Sequence, residues 1–263
     1  MKRIENLFRQ KQQNILNIYC TAGYPDLEST VTIMQSLQQS GVDMIELGMP
    51  YSDPLADGET IQNSSNIALK NGMTISRLFE QLAHMRKEPS RGGVGETFPV
   101  VLMGYMNPVL QYGFENFCAD AVKVGIDGLI LPDMPVNEFE NKYQSIVNKY
   151  DLDFVFLITP ETTETRVRKL DELSSGFLYA VSSSSTTGHE QDFTQVEQYL
   201  QRLQGYGLKN PVLVGFGIKD KESFNRACKY TNGAIIGSAF IKALGNTKNK
   251  SGTTEQFIKS IIG

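Results

Sequence analysis

The stretch ILNIYCTAGYPDLESTVTIMQSLQQSGVDMIEL (15–47) contains one complete unit of the pattern that decides the fold. Two apolar runs, ILNIYC (15–20) and VDMIEL (42–47), enclose a segment in which apolar residues recur at helical spacing between Asp26 and Gly41. Asp is favoured at the N-cap of a helix, and Gly is favoured just after its end. The stretch therefore predicts a strand, a helix and a second strand.

The same alternation continues to the end of the chain. Six further apolar runs follow: FPVVLM (98–103), GLILP (128–132), FVFLI (154–158), FLYAV (177–181), PVLVG (211–215) and AIIG (234–237). Most of these runs are continuous rather than alternating, which is typical of strands that are buried on both faces of a parallel sheet. Segments with helical periodicity separate the runs, so the chain is predicted to contain eight strands that are each followed by a helix.

This order predicts a single α/β domain over residues 1–263, a (β/α)₈ TIM barrel. A doubly wound sheet also alternates strands and helices, but it seldom reaches eight strands without a break in composition, and no such break is visible. RIENLFRQ (3–10) predicts an extra helix before the first strand. A short extra helix is expected after the eighth strand, beginning at Ser238.

Composition narrows the possible functions. The formal charge is −4 and there is no basic run, which argues against nucleic acid or an acidic membrane surface as a partner. No stretch approaches the roughly 20 apolar residues of a membrane span, and the N-terminus has no signal-peptide core. The three cysteines are widely spaced, as expected for free thiols in a cytoplasmic protein. With only two histidines, neither a His-based metal site nor a Ser-His-Asp triad is expected.

Acidic residues lie at the C-terminal ends of the predicted strands, where such barrels have their active sites. Glu46 lies in the second run, Asp53 and Asp57 lie in the following loop, and Asp133 follows the fourth run. Tyr179 lies within the sixth run. Strand-end acids often only cap the next helix or bind backbone amides, and for Asp133 this structural alternative is as good as a functional one. A Glu inside an apolar run is costly to ionise, which makes Glu46 the stronger catalytic candidate.

Glycine-containing loops follow the last two predicted strands. They read GFGIKD (215–220) and GSAF (237–240), and the hydroxyl-rich loop SSSSTTGH (182–189) follows the sixth strand. In such barrels the loops after strands 7 and 8, together with the N-terminus of a short extra helix, bind phosphate through backbone N–H groups. Each glycine alone indicates no more than a tight turn, but the loops together predict a phosphate site.

Several motifs together resemble the tryptophan synthase alpha subunit family. They are YCTAGYPD (19–26), ELGMPYSDPLADGETIQ (46–62), MGYMNPVLQYG (103–113), LPDMP (131–135), GFGI (215–218) and GSA (237–239), in the family's order. The resemblance implies a lyase that cleaves indole-3-glycerol phosphate into indole and glyceraldehyde 3-phosphate by a retro-aldol step, without a cofactor. It also implies an α₂β₂ complex in which indole passes to a pyridoxal-phosphate β subunit that makes tryptophan.

The resemblance assigns roles to individual residues. Glu46 and Asp57 match the family's two catalytic carboxylates, and Tyr179 matches a tyrosine beside the first of them. The phosphate-binding positions are Gly188, Phe216, Gly217, Gly237 and Ser238. The apolar slot for the indole ring is assigned to Tyr19, Tyr105, Ile130 and Leu157, although ordinary barrel core is nearly as good an interpretation of the last two. The loops that contact the β subunit contain Asp53, Pro54, Asn107 and Pro108.

Some positions depart from the family pattern. Met49 stands where the family often has a smaller residue. Tyr51 stands where it often has a phenyl side chain, and Glu59 stands where it often has Pro. Ser183 and Ser185 stand where many members carry Arg and Gly in the loop that acts as a lid. His189 lies beside this loop and is expected to be a solvent-exposed residue rather than a substrate contact.

Two other functions are compatible with a phosphate-binding barrel. An enzyme of the indole-glycerol-phosphate synthase type would need catalytic Lys residues on barrel strands, and the eight apolar runs contain none. A catalytically idle barrel that only activates a β partner is the second alternative. The presence of both Glu46 and Asp57 argues against it, because an idle subunit would need neither.

Overall fold

The computed structural model describes residues 1–86, 94–181, 193–245 and 247–263. Within these residues the strands are β1 (Ile15–Thr21), β2 (Met44–Gly48), β3 (Val100–Met103), β4 (Gly128–Ile130), β5 (Asp153–Val155), β6 (Leu157–Ile158), β7 (Leu178–Val181), β8 (Val212–Gly215) and β9 (Gly233–Ile236). They form one parallel sheet in the order β5-β4-β3-β2-β1-β9-β8-β7-β6.

The barrel closes through β5 and β6, which are two parts of one apolar run separated only by Phe156. β5 pairs with β4 on one side, whereas β6 pairs with β7 on the other side. The predicted fifth strand is therefore divided, because its two ends bond to different neighbours. The described sheet has nine strands where eight were expected, and the predicted TIM-barrel architecture is confirmed.

Helices surround the barrel in alternation with the strands. They are α1 (Arg3–Gln10), α2 (Thr30–Gln39), α3 (Glu59–Lys70), α4 (Ile75–Leu82), α5 (Met106–Tyr112), α6 (Phe114–Lys123), α7 (Val136–Glu138), α8 (Gln144–Lys149), α9 (Glu164–Leu173), α10 (Phe193–Gln204), α11 (Lys221–Cys228), α12 (Ser238–Gly245) and α13 (Lys250–Ile262). A 3₁₀ turn (Leu27–Ser29) precedes α2, and a π-helical turn (Phe139–Tyr143) joins α7 to α8. Both predicted extra helices, α1 and α12, are present.

Helix α1 covers the N-terminal end of the barrel. Its Ile4 is fully buried. Arg3 Nη1 lies 2.7 Å from Asp127 Oδ1, and Lys2 Nζ lies 3.1 Å from Asp153 Oδ1. These two aspartates are buried where β4 and β5 begin. The open end of the barrel is therefore the opposite one, where the strands end and the predicted site residues lie.

Candidate active site

Glu46 lies in the middle of β2, beside Tyr19 of β1 in the register of the two strands. Its side chain is fully buried. Asn17 Nδ2 lies 3.5 Å from Glu46 Oε2, and Oε1 has no hydrogen-bond partner among the described residues. Burial raises the pKa of Glu46 to about 8; the nearby Asp57 carboxylate adds to this rise, and the Asn17 contact opposes it. The carboxyl group of Glu46 consequently holds its proton at neutral pH.

Asp57 lies in the loop between β2 and α3. Its N–H donates to the Pro54 carbonyl at 3.0 Å. The Tyr105 hydroxyl donates to the Asp57 carboxylate and accepts the Ala56 N–H at 3.1 Å. Burial raises the pKa of Asp57 to about 6, and the bond from Tyr105 limits this rise. Asp57 is therefore ionised at pH 7, where Glu46 still holds its proton.

Two tyrosines complete the polar centre of the site. Tyr19 on β1 is buried, and Tyr179 on β7 is half-buried. Burial raises the pKa of both hydroxyls well above 10, and the charges of the two carboxyl groups add to this rise. Both rings lie over glycines of neighbouring strands. A Cβ at Gly48 would overlap the Tyr19 hydroxyl, and a Cβ at Gly215 would lie 2.6 Å from the Tyr179 hydroxyl oxygen.

The residues assigned to the indole slot lie at the same end of the barrel as these carboxyl groups. Ile130 ends β4 and is fully buried. Leu157 is half-buried and lies in register with Tyr179. Tyr105 follows β3 and is buried. The assignment of these side chains to an indole slot, together with Tyr19, stays a prediction.

The described residues assigned to phosphate binding lie in the loops after β8 and β9. Phe216 is buried, whereas Gly217 is exposed and has a left-handed φ of +44°. Gly237 immediately precedes α12, and Ser238 is the exposed first residue of this helix. The first N–H groups of a helix have no partner inside it and form a favourable anion site. Gly188, Ser183, Ser185 and His189 lie outside the described residues, and their assignments also stay predictions.

The chain is similar to known proteins along nearly all of its length. A family model described as tryptophan synthase alpha chain matches residues 6–261. The tryptophan synthase alpha chain of Flavobacterium johnsoniae is 51% identical over 96% of both chains, and that of Flavobacterium psychrophilum is 50% identical over 100% of both chains. The chain belongs to the tryptophan synthase alpha chain family. Tryptophan synthase subunit alpha from Legionella pneumophila has a crystal structure with a TM-score of 0.88 and 30% identity, covering 99% of this chain and 97% of that one.

Membership in the tryptophan synthase alpha chain family confirms the resemblance seen in the sequence. It also confirms the predicted function of an alpha subunit of tryptophan synthase, which acts in tryptophan biosynthesis. Membership in this family implies a β subunit as the partner of the chain.

The four residues predicted to contact the β subunit lie in the β2–α3 loop and in α5. Asp53 and Asn107 are exposed, Pro108 is half-buried, and Pro54 is buried. Asn107 Nδ2 donates to the Tyr51 hydroxyl at 3.1 Å, which connects α5 to the start of the loop. Leu55, next to Pro54, has 90% of its surface exposed. The interface role of the four residues stays a prediction.

Two contacts at the site go beyond what the sequence predicts. Asn17 contacts Glu46, and the only signal for it in the sequence is one polar residue inside the apolar run ILNIYC. Asp133 accepts the Met106 N–H with both carboxylate oxygens at 3.0 Å. Met106 begins α5, which precedes Asp133 in the chain, so this contact supports the interpretation that Asp133 binds backbone amides rather than capping the next helix, α7.

Three other features of the described residues bear on the predictions. No group of three or more His, Cys, Asp and Glu side chains among them is placed to hold a metal ion. None of the described helices combines the length and the apolar character needed to cross a bilayer. Cys20, Cys118 and Cys228 are buried free thiols, as predicted.

Proposed function

We propose that this chain cleaves indole-3-glycerol phosphate into indole and glyceraldehyde 3-phosphate by a retro-aldol reaction, without a cofactor. The observation that carries the proposal is the difference between two neighbouring carboxyl groups. Burial raises the pKa of Glu46 to about 8 and that of Asp57 to about 6. At neutral pH one site thus contains both a carboxylic acid and a carboxylate, which can divide acid and electrostatic roles.

The reaction breaks the bond between indole C3 and the glycerol chain. Glu46 protonates C3, and Asp57 accepts the indole N–H and stabilises the positive charge that develops on the ring. As the carbon–carbon bond breaks, its electron pair returns to the ring and restores aromatic indole. The adjacent glycerol hydroxyl becomes the aldehyde carbonyl and gives its proton to Glu46. The carboxyl group ends the cycle protonated, as it began.

The surrounding residues hold the substrate for this proton transfer. The role given to Tyr179 is to orient Glu46, and it is supported by the effect of the Glu46 charge, which raises the pKa of the Tyr179 hydroxyl. Oε1 of Glu46, which has no partner among the described side chains, is the oxygen left for the reacting atoms. The substrate phosphate binds at the N-terminus of α12 and at the loop that contains Gly217.

We infer further that the chain works as one domain over residues 1–263, in the cytoplasm, in an α₂β₂ complex with a β subunit that holds pyridoxal phosphate. The Tyr51 and Tyr105 rings have centroids 5.4 Å apart, and Tyr105 bonds to Asp57. Asn107 donates to the Tyr51 hydroxyl. Through these contacts, binding of the β subunit at the exposed loops can affect the carboxylate of Asp57.

The test is indole release from indole-3-glycerol phosphate, measured with the purified chain and with the chain plus a cognate β subunit. We expect slow release by the chain alone and faster release in the complex. Glu46→Gln should lower release by about 10²–10⁴-fold, the usual contribution of acid–base catalysis. Full release by a folded Glu46→Gln variant would contradict the assignment. A chain that activates the β subunit but releases no indole would support the idle-barrel alternative.

A further inference from the structure

Asn17 and Glu46 form a buried polar pair in the interior of the barrel. Only three polar side chains of the described residues have no exposed surface, and two of them are Asn17 and Glu46. The third, Thr254, donates to the Lys250 carbonyl of its own helix at 2.8 Å. The pair therefore differs from a polar group that is satisfied locally, because each partner depends on a side chain of another strand.

The pair is also incompletely bonded. Asn17 Nδ2 lies 3.5 Å from Glu46 Oε2, but Asn17 Oδ1 and Glu46 Oε1 have no hydrogen-bond partner in the described part of the chain. A buried amide that serves only the fold normally has partners at both ends. An amide with one free end beside a carboxyl group can instead adapt to the protonation state of that group.

We propose that Asn17 is a positioning residue for Glu46, whose amide N–H donates to the carboxylate and whose amide oxygen, after a rotation of 180°, accepts from the carboxylic acid. The amide offers both a donor and an acceptor, as this exchange requires. This inference rests on the proposed function, in which Glu46 gives up a proton and then regains it.

The observed contact shows the amide in its donating orientation, because Nδ2 rather than Oδ1 lies beside Oε2 of Glu46. Bonds from an N–H to an ionised carboxylate are usually about 2.7–2.9 Å long when the group is charged. The 3.5 Å separation is longer, so no short charge-assisted bond holds the amide in this orientation. Because the contact favours the ionised form, it opposes the rise in the pKa of Glu46 that burial and Asp57 cause. Loss of the amide should therefore raise the pKa of Glu46 and weaken the step in which its ionised form is produced.

Other groups also act on the ionisation of Glu46, and the experiment must leave them in place. The ionisable side chains electrostatically coupled to it are Asp57 of the β2–α3 loop, Tyr19 and Cys20 of β1, and Tyr179 of β7. Asn17→Leu is nearly isosteric and changes none of these. Met44→Leu is the matched control, since Met44 is the register partner of Asn17 and is fully buried.

The pKa of Glu46 can be measured without reference to activity. We suggest ¹³C NMR titration of protein labelled at the glutamate carboxyl carbon, with Glu46→Gln used to assign the resonance. Asn17→Leu should raise the pKa of Glu46 by about one, the effect of one hydrogen bond to a charged group. Asn17→Ala, which cannot clash, should give the same shift if the Leu variant does not fold. Met44→Leu should leave the pKa unchanged.

Kinetics provide the second measurement. Asn17→Leu should lower kcat about tenfold with little change in KM, and it should move the pH profile of kcat to higher pH. An unchanged Glu46 pKa in both Asn17 variants would overturn the inference. Absence of indole release by the unmodified chain in its β complex would instead overturn the proposed function, and the titration would still report on the pair.

Discussion

The Tyr105 hydroxyl accepts the backbone N–H of Ala56 at 3.1 Å. The same hydroxyl donates to the carboxylate of Asp57, the next residue. One side chain from the segment between β3 and α5 therefore acts both on the path of the β2–α3 loop and on the pKa of its Asp57 carboxyl group. The resemblance assigns Tyr105 to the apolar slot for the indole ring, and the structure adds a polar role for its hydroxyl.

Tyr105→Phe should impair Asp57 without removing the ring. Loss of the hydrogen bond raises the pKa of Asp57 above its present value of about 6. The proposed mechanism uses the ionised form of Asp57, so the acidic limb of the kcat profile should move to higher pH, with a larger loss at pH 6 than at pH 8. We expect kcat to fall about tenfold at pH 7, the effect of one hydrogen bond to a charged group.

Tyr51→Phe is the matched control for this variant. The Tyr51 ring packs against that of Tyr105, but its hydroxyl accepts from Asn107. Its removal should leave the acidic limb of the profile in place. Equal pH profiles for Tyr105→Phe and the unmodified chain would show that the hydroxyl does not control Asp57.

Glu46 should make the fold less stable as the pH rises. Its pKa is about 8 in the folded chain and 4.5 in an unfolded reference. Below pH 4.5 both states hold the proton, and between the two values only the unfolded state releases it. The free energy of unfolding of Glu46→Gln should therefore exceed that of the unmodified chain progressively from pH 4.5 and level off above pH 8. The final difference should be up to about 5 kcal/mol.

Chemical denaturation at a series of pH values measures this difference. Glu255→Gln on the exposed face of α13 is the control and should follow the unmodified chain throughout. If the free energies of unfolding of Glu46→Gln and of the unmodified chain differ by a constant amount between pH 4.5 and pH 8, the raised pKa of Glu46 is contradicted.

The barrel could be predicted because its signal is repeated. Eight apolar runs alternate with helical segments, and each unit independently indicates a buried parallel strand and a covering helix. The division of the fifth run at Phe156 could not be predicted in this way. It depends on which strands the two halves of the run pair with, and these strands, β4 and β7, are far apart in the sequence.

The candidate site could be predicted from the sequence where a charged residue interrupts an apolar run. Glu46 is such a residue, because a carboxylate inside an apolar strand has an energetic cost that a structural role does not require. Its contact with Asn17 depends on the register between β1 and β2, which the sequence does not specify. The bond between Asp57 and Tyr105 depends on the path of two loops, and no periodic pattern encodes such a path.

Gly215→Ala should displace Tyr179. A Cβ at this position would lie 2.6 Å from the tyrosine hydroxyl oxygen, too close for any rotation of the methyl group to relieve. Overpacking of this kind usually costs about 1–3 kcal/mol. We expect a lower melting temperature and, from the proposed role of Tyr179 in orienting Glu46, a lower kcat in the indole-release assay. Gly205→Ala is the control, since its Cβ would be 3.4 Å from the nearest carbonyl. Equal kcat values for Gly215→Ala and Gly205→Ala would show that Tyr179 has no role in catalysis.

Ser238→Asp should weaken binding of the substrate phosphate. Ser238 is the exposed first residue of α12, and a carboxylate there would repel a dianionic phosphate from the helix N-terminus. We expect the Kd for glycerol 3-phosphate, measured by calorimetry, to rise at least about tenfold, which corresponds to roughly 1.4 kcal/mol.

Two further variants separate the charge from its position. Ser238→Ala keeps every backbone N–H, so its affinity should stay within a few-fold of the unmodified chain if those groups are the main donors. Ser76→Asp places the same charge at an exposed position in the first turn of a different helix, α4, and should have no effect. If Ser238→Asp binds glycerol 3-phosphate as tightly as Ser76→Asp does, the phosphate cannot lie at the N-terminus of α12.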